Sequence, residues 1–152
     1  MNTGSSLRDW GIFLLRLVVG VIFVMHGWQK LSMGFQNVGS FLGSLGIPLP
    51  TLAAVVLTVV ELLGGIALII GLGVRYIAPL LAIDMLIAIV LVHAKNGFFA
   101  PKGVEFPLLL LAVNINLVVA GAGALSVSSF RKPKAAATAK TDAGLSRQKT
   151  TT

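Results

Sequence analysis

Titratable side chains inside apolar segments are the residues of this chain that could do chemistry, and Glu61 is the clearest case. It lies near the middle of the apolar run 51–73. A run of about 20 apolar residues can cross a bilayer as a helix. Because an ionised carboxylate at mid-depth costs roughly 3 kcal/mol or more, we expect Glu61 to be paired, protonated or facing a wet cavity.

Arg16 and Asp84 complete a predicted buried polar centre with Glu61. Arg16 interrupts the first apolar run, and an Arg–carboxylate pair would suit both groups. One Arg cannot neutralise two acids, so we expect either Glu61 or Asp84 to be protonated or reached by water. Three alternatives stay open: an ion pair that only fixes helix register, an Arg16 that reaches the inner interface, and an Asp84 solvated at the inner mouth.

A second polar group is predicted at the outer rim of the bundle, and it comprises His26, Lys30, His93 and Glu105. His26 and Lys30 share a helix face, one turn apart. Two histidines and a carboxylate can ligate a metal, but this spacing is not that of a metal motif, and no metal site is predicted. In a regular helix Asp84 and His93 are half a turn out of phase, so both face one pocket only if the helix bends.

The composition predicts the elements that must position these groups. Of 152 residues, 56% are hydrophobic and 11% are charged, against roughly 25% charged in soluble domains. We predict an all-α integral membrane four-helix bundle with spans at about 11–30, 51–73, 76–94 and 107–127. Between the first two spans, apolar residues at helical spacing predict a short interfacial amphipathic helix, with an irregular loop as the alternative.

Glycine-bearing stripes predict which faces of the first two spans pack inward. The first stripe carries Arg16, Gly20, Phe23, Gly27 and Lys30, and the second carries Thr58, Glu61, Gly65, Leu68 and Leu72. Small residues allow membrane helices to approach closely.

The ends of the chain differ in composition from its centre. Residues 10–128 form the predicted domain, between a cytoplasmic segment 1–9 and a disordered basic tail 129–152. The basic residues behind the net charge of +7 are concentrated in that tail, so the positive-inside rule predicts that both termini are cytoplasmic. We expect the protein in the inner (plasma) membrane of the cell. The chain has no cysteine, which excludes disulfides and thiolate chemistry.

Several ordered stretches resemble the DoxX family of small four-pass membrane proteins. They are 15–31, 46–48, 61–76, His93 with 97–99, 103–105, and 121–123 with Ser126, and together they cover roughly 10–128. The resemblance implies that the family's recurrent polar positions are Arg16, His26, Lys30, Glu61, Arg75, His93 and Glu105. The family pattern tends to end in Ser-x-Asp, where this chain has Ser128, and Asp84 has no counterpart in it.

The resemblance implies an accessory or quinone-linked subunit of a membrane redox or stress-response assembly, because the family is named after a subunit associated with a quinone-reducing enzyme. A quinone is the one cofactor it suggests. The alternatives are a structural scaffold or assembly factor without chemistry, and a small proton-coupled carrier. We expect an oxidoreductase-associated subunit rather than a self-sufficient enzyme, with the lipid bilayer, redox proteins and further copies of the chain as partners, and no nucleic acid.

Overall fold

Within residues 3–127 the chain folds into five α-helices and has no strand. The computed structural model describes residues 3–127, with side chains from residue 7 onward; the predicted tail, 129–152, lies outside them. The helices are α1 (Thr3–Met33), α2 (Phe35–Ser44), α3 (Pro50–Ile70), α4 (Val74–Ala88) and α5 (Glu105–Ala120). A π-helical turn (Ile89–His93) and a 3-10 turn (Ala94–Asn96) continue α4. The predicted all-α class is confirmed.

Three helical segments are long and apolar enough to cross a membrane. They are Leu7–Met33, Pro50–Ile70 and Val74–Asn96, and α5 is a shorter apolar helix. Large apolar side chains such as Leu63 and Val90 are exposed on the outer faces, as expected where lipid replaces water. The protein is therefore a membrane protein with several apolar helices.

The last helix is shorter than the predicted fourth span. It ends at Ala120, because Gly121 leaves the helical conformation with φ 81° and ψ −155°. The chain then turns beneath α1, where the Ala124 amide donates to the Asp9 carbonyl at 3.0 Å.

Glycines bring α1 and α3 into close contact, as the two stripes predict. A Cβ at Gly20 would lie 2.8 Å from the Gly65 carbonyl oxygen, and one at Gly27 would lie 2.7 Å from the Leu62 nitrogen. Thr58, Glu61 and Leu68 are buried on the same side of α3. Leu72 was also expected inside, but it lies beyond the end of α3 and is exposed.

The predicted short helix between the first two spans is α2, and it packs on the first half of α3. Val38 and Leu42 are buried against Ala54. Gly39 allows a close approach, since a Cβ there would be 3.1 Å from the Thr51 Cα. This helix therefore forms one wall of the space between α1 and the N-terminal half of α3.

Candidate functional site

The partner of Glu61 is Lys30. The Lys30 ammonium donates to Glu61 Oε2 at 2.6 Å. Glu61 has a side chain only 3% exposed, and Lys30 keeps 22%. The contact follows from the close crossing at Gly27 and Leu62, because Lys30 lies one turn beyond Gly27 and Glu61 adjoins Leu62. A buried carboxylate is thus neutralised by a cation from the first helix.

The predicted pairing of Arg16 with Glu61 is wrong. Arg16 is fully buried, but its guanidinium donates to the Ala122 carbonyl and, at 2.9 Å, to the Leu125 carbonyl. It packs beside Gly71, ten residues from Glu61 on the chain and about 15 Å along a helix axis. The physical reason is the antiparallel register of α1 and α3, which puts Arg16 at the end of α3 and Lys30 near its middle.

Arg16 therefore has a structural position. Its guanidinium holds the segment after α5 against α1, and it lies over the Phe13 ring with 5.3 Å to the centroid. Gly71, with φ 72°, ends α3 at this point, and any side chain there would collide with Arg16 and Ser126. The anchored segment, 121–126, thus lies at the end of α3, away from the predicted buried polar centre.

Asp84 lies beside Glu61 rather than at the inner mouth of the bundle. The two carboxyl groups lie close enough to interact electrostatically, and the Lys30 charge also acts on Asp84. Asp84 Oδ2 is buried and has no hydrogen-bond partner within residues 3–127. Lys30, Glu61 and Asp84 thus form one cluster with two acids and one cation.

The π-helical turn brings His93 to the same side of the bundle as Asp84. Nine residues of regular α-helix would leave the two about 180° apart, and a π turn absorbs one extra residue and reduces this to about 80°. Both side chains line one cavity. His93 Nδ1 donates to the Lys102 carbonyl at 2.7 Å, which fixes the ring against the following loop.

His26 reaches the cavity from α1. Its Nδ1 lies 2.9 Å from the Ile22 carbonyl oxygen, and since a carbonyl only accepts, Nδ1 carries the proton. The ring stacks on Phe106 at 6.2 Å between centroids and 24° between planes. The imidazole is therefore held both by its backbone contact and by an aromatic neighbour.

These groups share a single cavity of about 560 Å³ between α1, α2, α3, α4 and the start of α5. Small-molecule sites typically enclose roughly 300–1,000 Å³ and are largely apolar. Its polar side chains are His26, Lys30, Glu61, Asp84 and His93; the other lining residues are aliphatic or aromatic, with proline, including Phe23, Phe41, Leu57, Ile83 and Phe106. The structure thus joins Glu61 and Asp84 to three members of the predicted outer-rim group.

Two further predicted residues lie elsewhere. Glu105 begins α5 and accepts a hydrogen bond from the Ala100 amide at 2.6 Å, so it orders the loop rather than lining the cavity. Arg75 is exposed at the opposite end of the bundle, beside Gly121. Among residues 3–127 no three His, Asp or Glu side chains are arranged to hold a metal ion.

Sequence reasoning missed the contribution of α2 and of Phe106 to the cavity. The apolar spacing predicts an interfacial helix there, and its Phe41 and Leu45 line the cavity wall. The sequence feature that indicates this position is the apolar spacing of α2 together with its short connections. Because the connections are short, α2 must fold back on α3.

The arrangement can hold a molecule whose body is apolar and whose polar end exchanges protons. Apolar walls favour a lipid-soluble ligand, because binding removes the apolar surfaces of the ligand and of the cavity wall from water. The acids and imidazoles at one side are groups that accept and release protons.

Known proteins match the part of the chain that builds this cavity. The DoxX family model matches residues 11–94. The "Putative oxidoreductase CatD" of Bacillus subtilis is 36% identical over 120 residues, which is 79% of this chain and 86% of that protein. Two inner membrane proteins of Escherichia coli also match: YqjF is 27% identical over 86% of this chain and 98% of its own length, and YphA is 33% identical over 50% and 54%. No solved structure matches.

Proposed function

This chain belongs to the DoxX family of membrane proteins, and from that premise we propose that it is a quinone-linked subunit of a membrane redox assembly. The observation that supports this most directly is the apolar cavity with Lys30, Glu61 and Asp84 in its wall. The name of the Bacillus subtilis relative gives further support for a redox association.

The residues of the cavity fit a quinone. A quinone is a flat ring on an apolar tail, and when bound it supplies two-electron chemistry coupled to two protons. The apolar walls suit the ring and tail, and the Asp84 Oδ2 atom, buried and without a partner in the described region, can accept from the ring hydroxyls of the reduced form. The stacked pair of His26 and Phe106 offers a flat wall of ring size.

The chain's own residues would bind the headgroup and handle its protons. Glu61 and Asp84 lie together in the apolar interior, where Lys30 limits the net charge, and their carboxyl groups can take protons from the headgroup and return them. His26 and His93 are nearer the loop side of the cavity and can pass protons between the acids and water. Arg16, which holds the segment after α5, has no part in this set.

Electrons would be exchanged with a redox protein, because the chain lacks cysteine for thiol chemistry. The proposal includes the inner membrane as location, since two relatives are named inner membrane proteins. It includes cytoplasmic termini, since Arg131, Lys132 and Lys134 follow the last helix.

Binding of decylubiquinone to the full chain in lipid nanodiscs tests the proposal. We expect saturable binding above that of empty nanodiscs, and a loss of about fivefold or more in affinity for Glu61→Gln. The matched control is Asp9→Asn, which removes an acid outside the cavity and should bind normally. Absence of saturable binding would rule out the quinone function. If Glu61→Gln binds normally but accumulates poorly, the scaffold alternative is favoured.

A further inference from the structure

The hydrogen-bonding capacity of the cavity wall is strongly unbalanced. Five polar side chains line the cavity, and none of them is a hydroxyl or an amide. Backbone amides in the interior turns of the helices are already paired with carbonyls. The wall's preference for ligand donors or acceptors therefore depends on His26, Lys30, Glu61, Asp84 and His93.

Both histidines are acceptors in their neutral form. Nδ1 of His26 donates to the Ile22 carbonyl, and Nδ1 of His93 donates to the Lys102 carbonyl. A neutral imidazole carries one proton, so Nε2 of each ring is left with a lone pair. Within residues 3–127, neither Nε2 has a hydrogen-bond partner.

The carboxyl groups are acceptors as well. Ionised carboxylates only accept, and a proton bound by one of the two acids can donate to the other, because the two groups are close enough to interact. Lys30 is the exception, because an ammonium only donates, but Glu61 holds it at 2.6 Å. Four of the five polar side chains thus present lone pairs to the cavity.

We propose that the cavity selects a hydroxylated ring, the quinol form of its ligand, over the oxidised quinone. A quinol has two O–H donors, whereas a quinone has only acceptor oxygens. Placing acceptors against acceptors leaves buried polar groups unpaired. Binding then costs the full desolvation free energy of these groups, in addition to the missing hydrogen bonds. The inference rests on the proposed function and adds the redox state that the site recognises.

The test compares three forms of one ligand in lipid nanodiscs under anaerobic conditions at pH 7.5. The ligands are decylubiquinol, decylubiquinone and the bis-methyl ether of decylubiquinol, which keeps the ring and tail but has no O–H. Each affinity is corrected for partition into empty nanodiscs. We expect the quinol to bind about tenfold more tightly than the other two, since two hydrogen bonds are at stake.

Two variants locate the selectivity. His26→Phe keeps an aromatic ring beside Phe106 but removes Nε2. His93→Phe removes Nε2 of the other imidazole. In each folded variant the ratio of quinol affinity to quinone affinity should fall about fivefold. Tyr76→Phe, which removes an exposed hydroxyl far from the cavity, is the control and should keep the wild-type ratio.

The outcomes separate this inference from the proposed function. Equal binding of quinol and quinone, or tighter binding of the quinone, overturns the selectivity and leaves quinone binding intact. An unchanged ratio in both histidine variants also overturns it. If none of the three ligands binds, both the selectivity and the quinone function are wrong.

Discussion

Lys30 Nζ lies 2.6 Å from Glu61 Oε2, next to the close approach of α1 and α3 at Gly27 and Leu62. Asp84 adds a second acid from α4. Removing one member of a buried ion pair is costly because it leaves the other charge without compensation, whereas removing both can be nearly neutral. The cluster therefore ties the packing of three helices to the charge state of the cavity.

Replacing Lys30 with Met should destabilise the protein by about 3 kcal/mol, the lower end for a buried pair, because Lys30 keeps some exposure. The double variant Lys30→Met with Glu61→Gln should recover much of that loss, since no unpaired charge remains. Thermal unfolding in one detergent, followed by the fluorescence of Trp10 and Trp28, measures both. Additive losses in the double variant would mean that the two side chains are not coupled.

Arg16→Met should loosen the segment after α5 and leave ligand binding unchanged. The guanidinium's bonds to the Ala122 and Leu125 carbonyls are charge-assisted and contribute about 1.5–3 kcal/mol each. Faster amide exchange in 121–126, with quinone affinity within twofold of wild type, is the expected result. A large loss of binding with no change in exchange would assign Arg16 to the ligand instead.

Gly27→Ala should separate α1 from α3. The added methyl would lie 2.7 Å from the Leu62 nitrogen, which is backbone and cannot move aside. Overpacking of this kind costs about 1–3 kcal/mol. Gly11→Ala on the same helix meets nothing within 4 Å and is the control, with stability unchanged or slightly higher. Equal thermal midpoints for the two variants would contradict the close crossing.

The helices and their inward faces could be predicted from sequence because apolar periodicity and small residues report them directly. Gly20, Gly27 and Gly65 all lie at the predicted interface. The partner of Glu61 could not be predicted in this way. Arg16 and Lys30 share one stripe of α1, and the choice between them depends on how far α1 slides along α3.

The register between α1 and α3 depends on the segment that joins them, which contains α2, rather than on the sequence of either helix. Gly27 lies within about two turns of the end of α1, whereas Leu62 lies more than three turns from Pro50. The N-terminal half of α3 therefore extends past α1, and α2 packs there instead. If the depth of a residue is counted from the end of its own apolar run, the runs must begin and end at the same height along the bundle. On that assumption Arg16 lies at the same depth as Glu61. The phase of His93 likewise depends on a π turn that periodicity does not reveal.

The π turn at Ile89–His93 gives a paired test by deletion and insertion. Val90 is exposed and does not line the cavity. Deleting it removes the extra residue, so the segment can become regular α-helix with eight steps from Asp84 to His93, again about 80° apart. We expect the thermal midpoint to be kept or raised and quinol affinity to stay within about threefold.

Inserting one Ala after Val90 should have the opposite effect. The added residue turns His93 by about 100° more, away from the cavity and from the Lys102 carbonyl that holds its ring. Quinol affinity in nanodiscs should fall about fivefold or more with the loss of that acceptor. Val90→Ala, which changes neither length nor phase, controls for the altered side chain. Binding that survives insertion but not deletion would show that the π turn does not set the direction of His93.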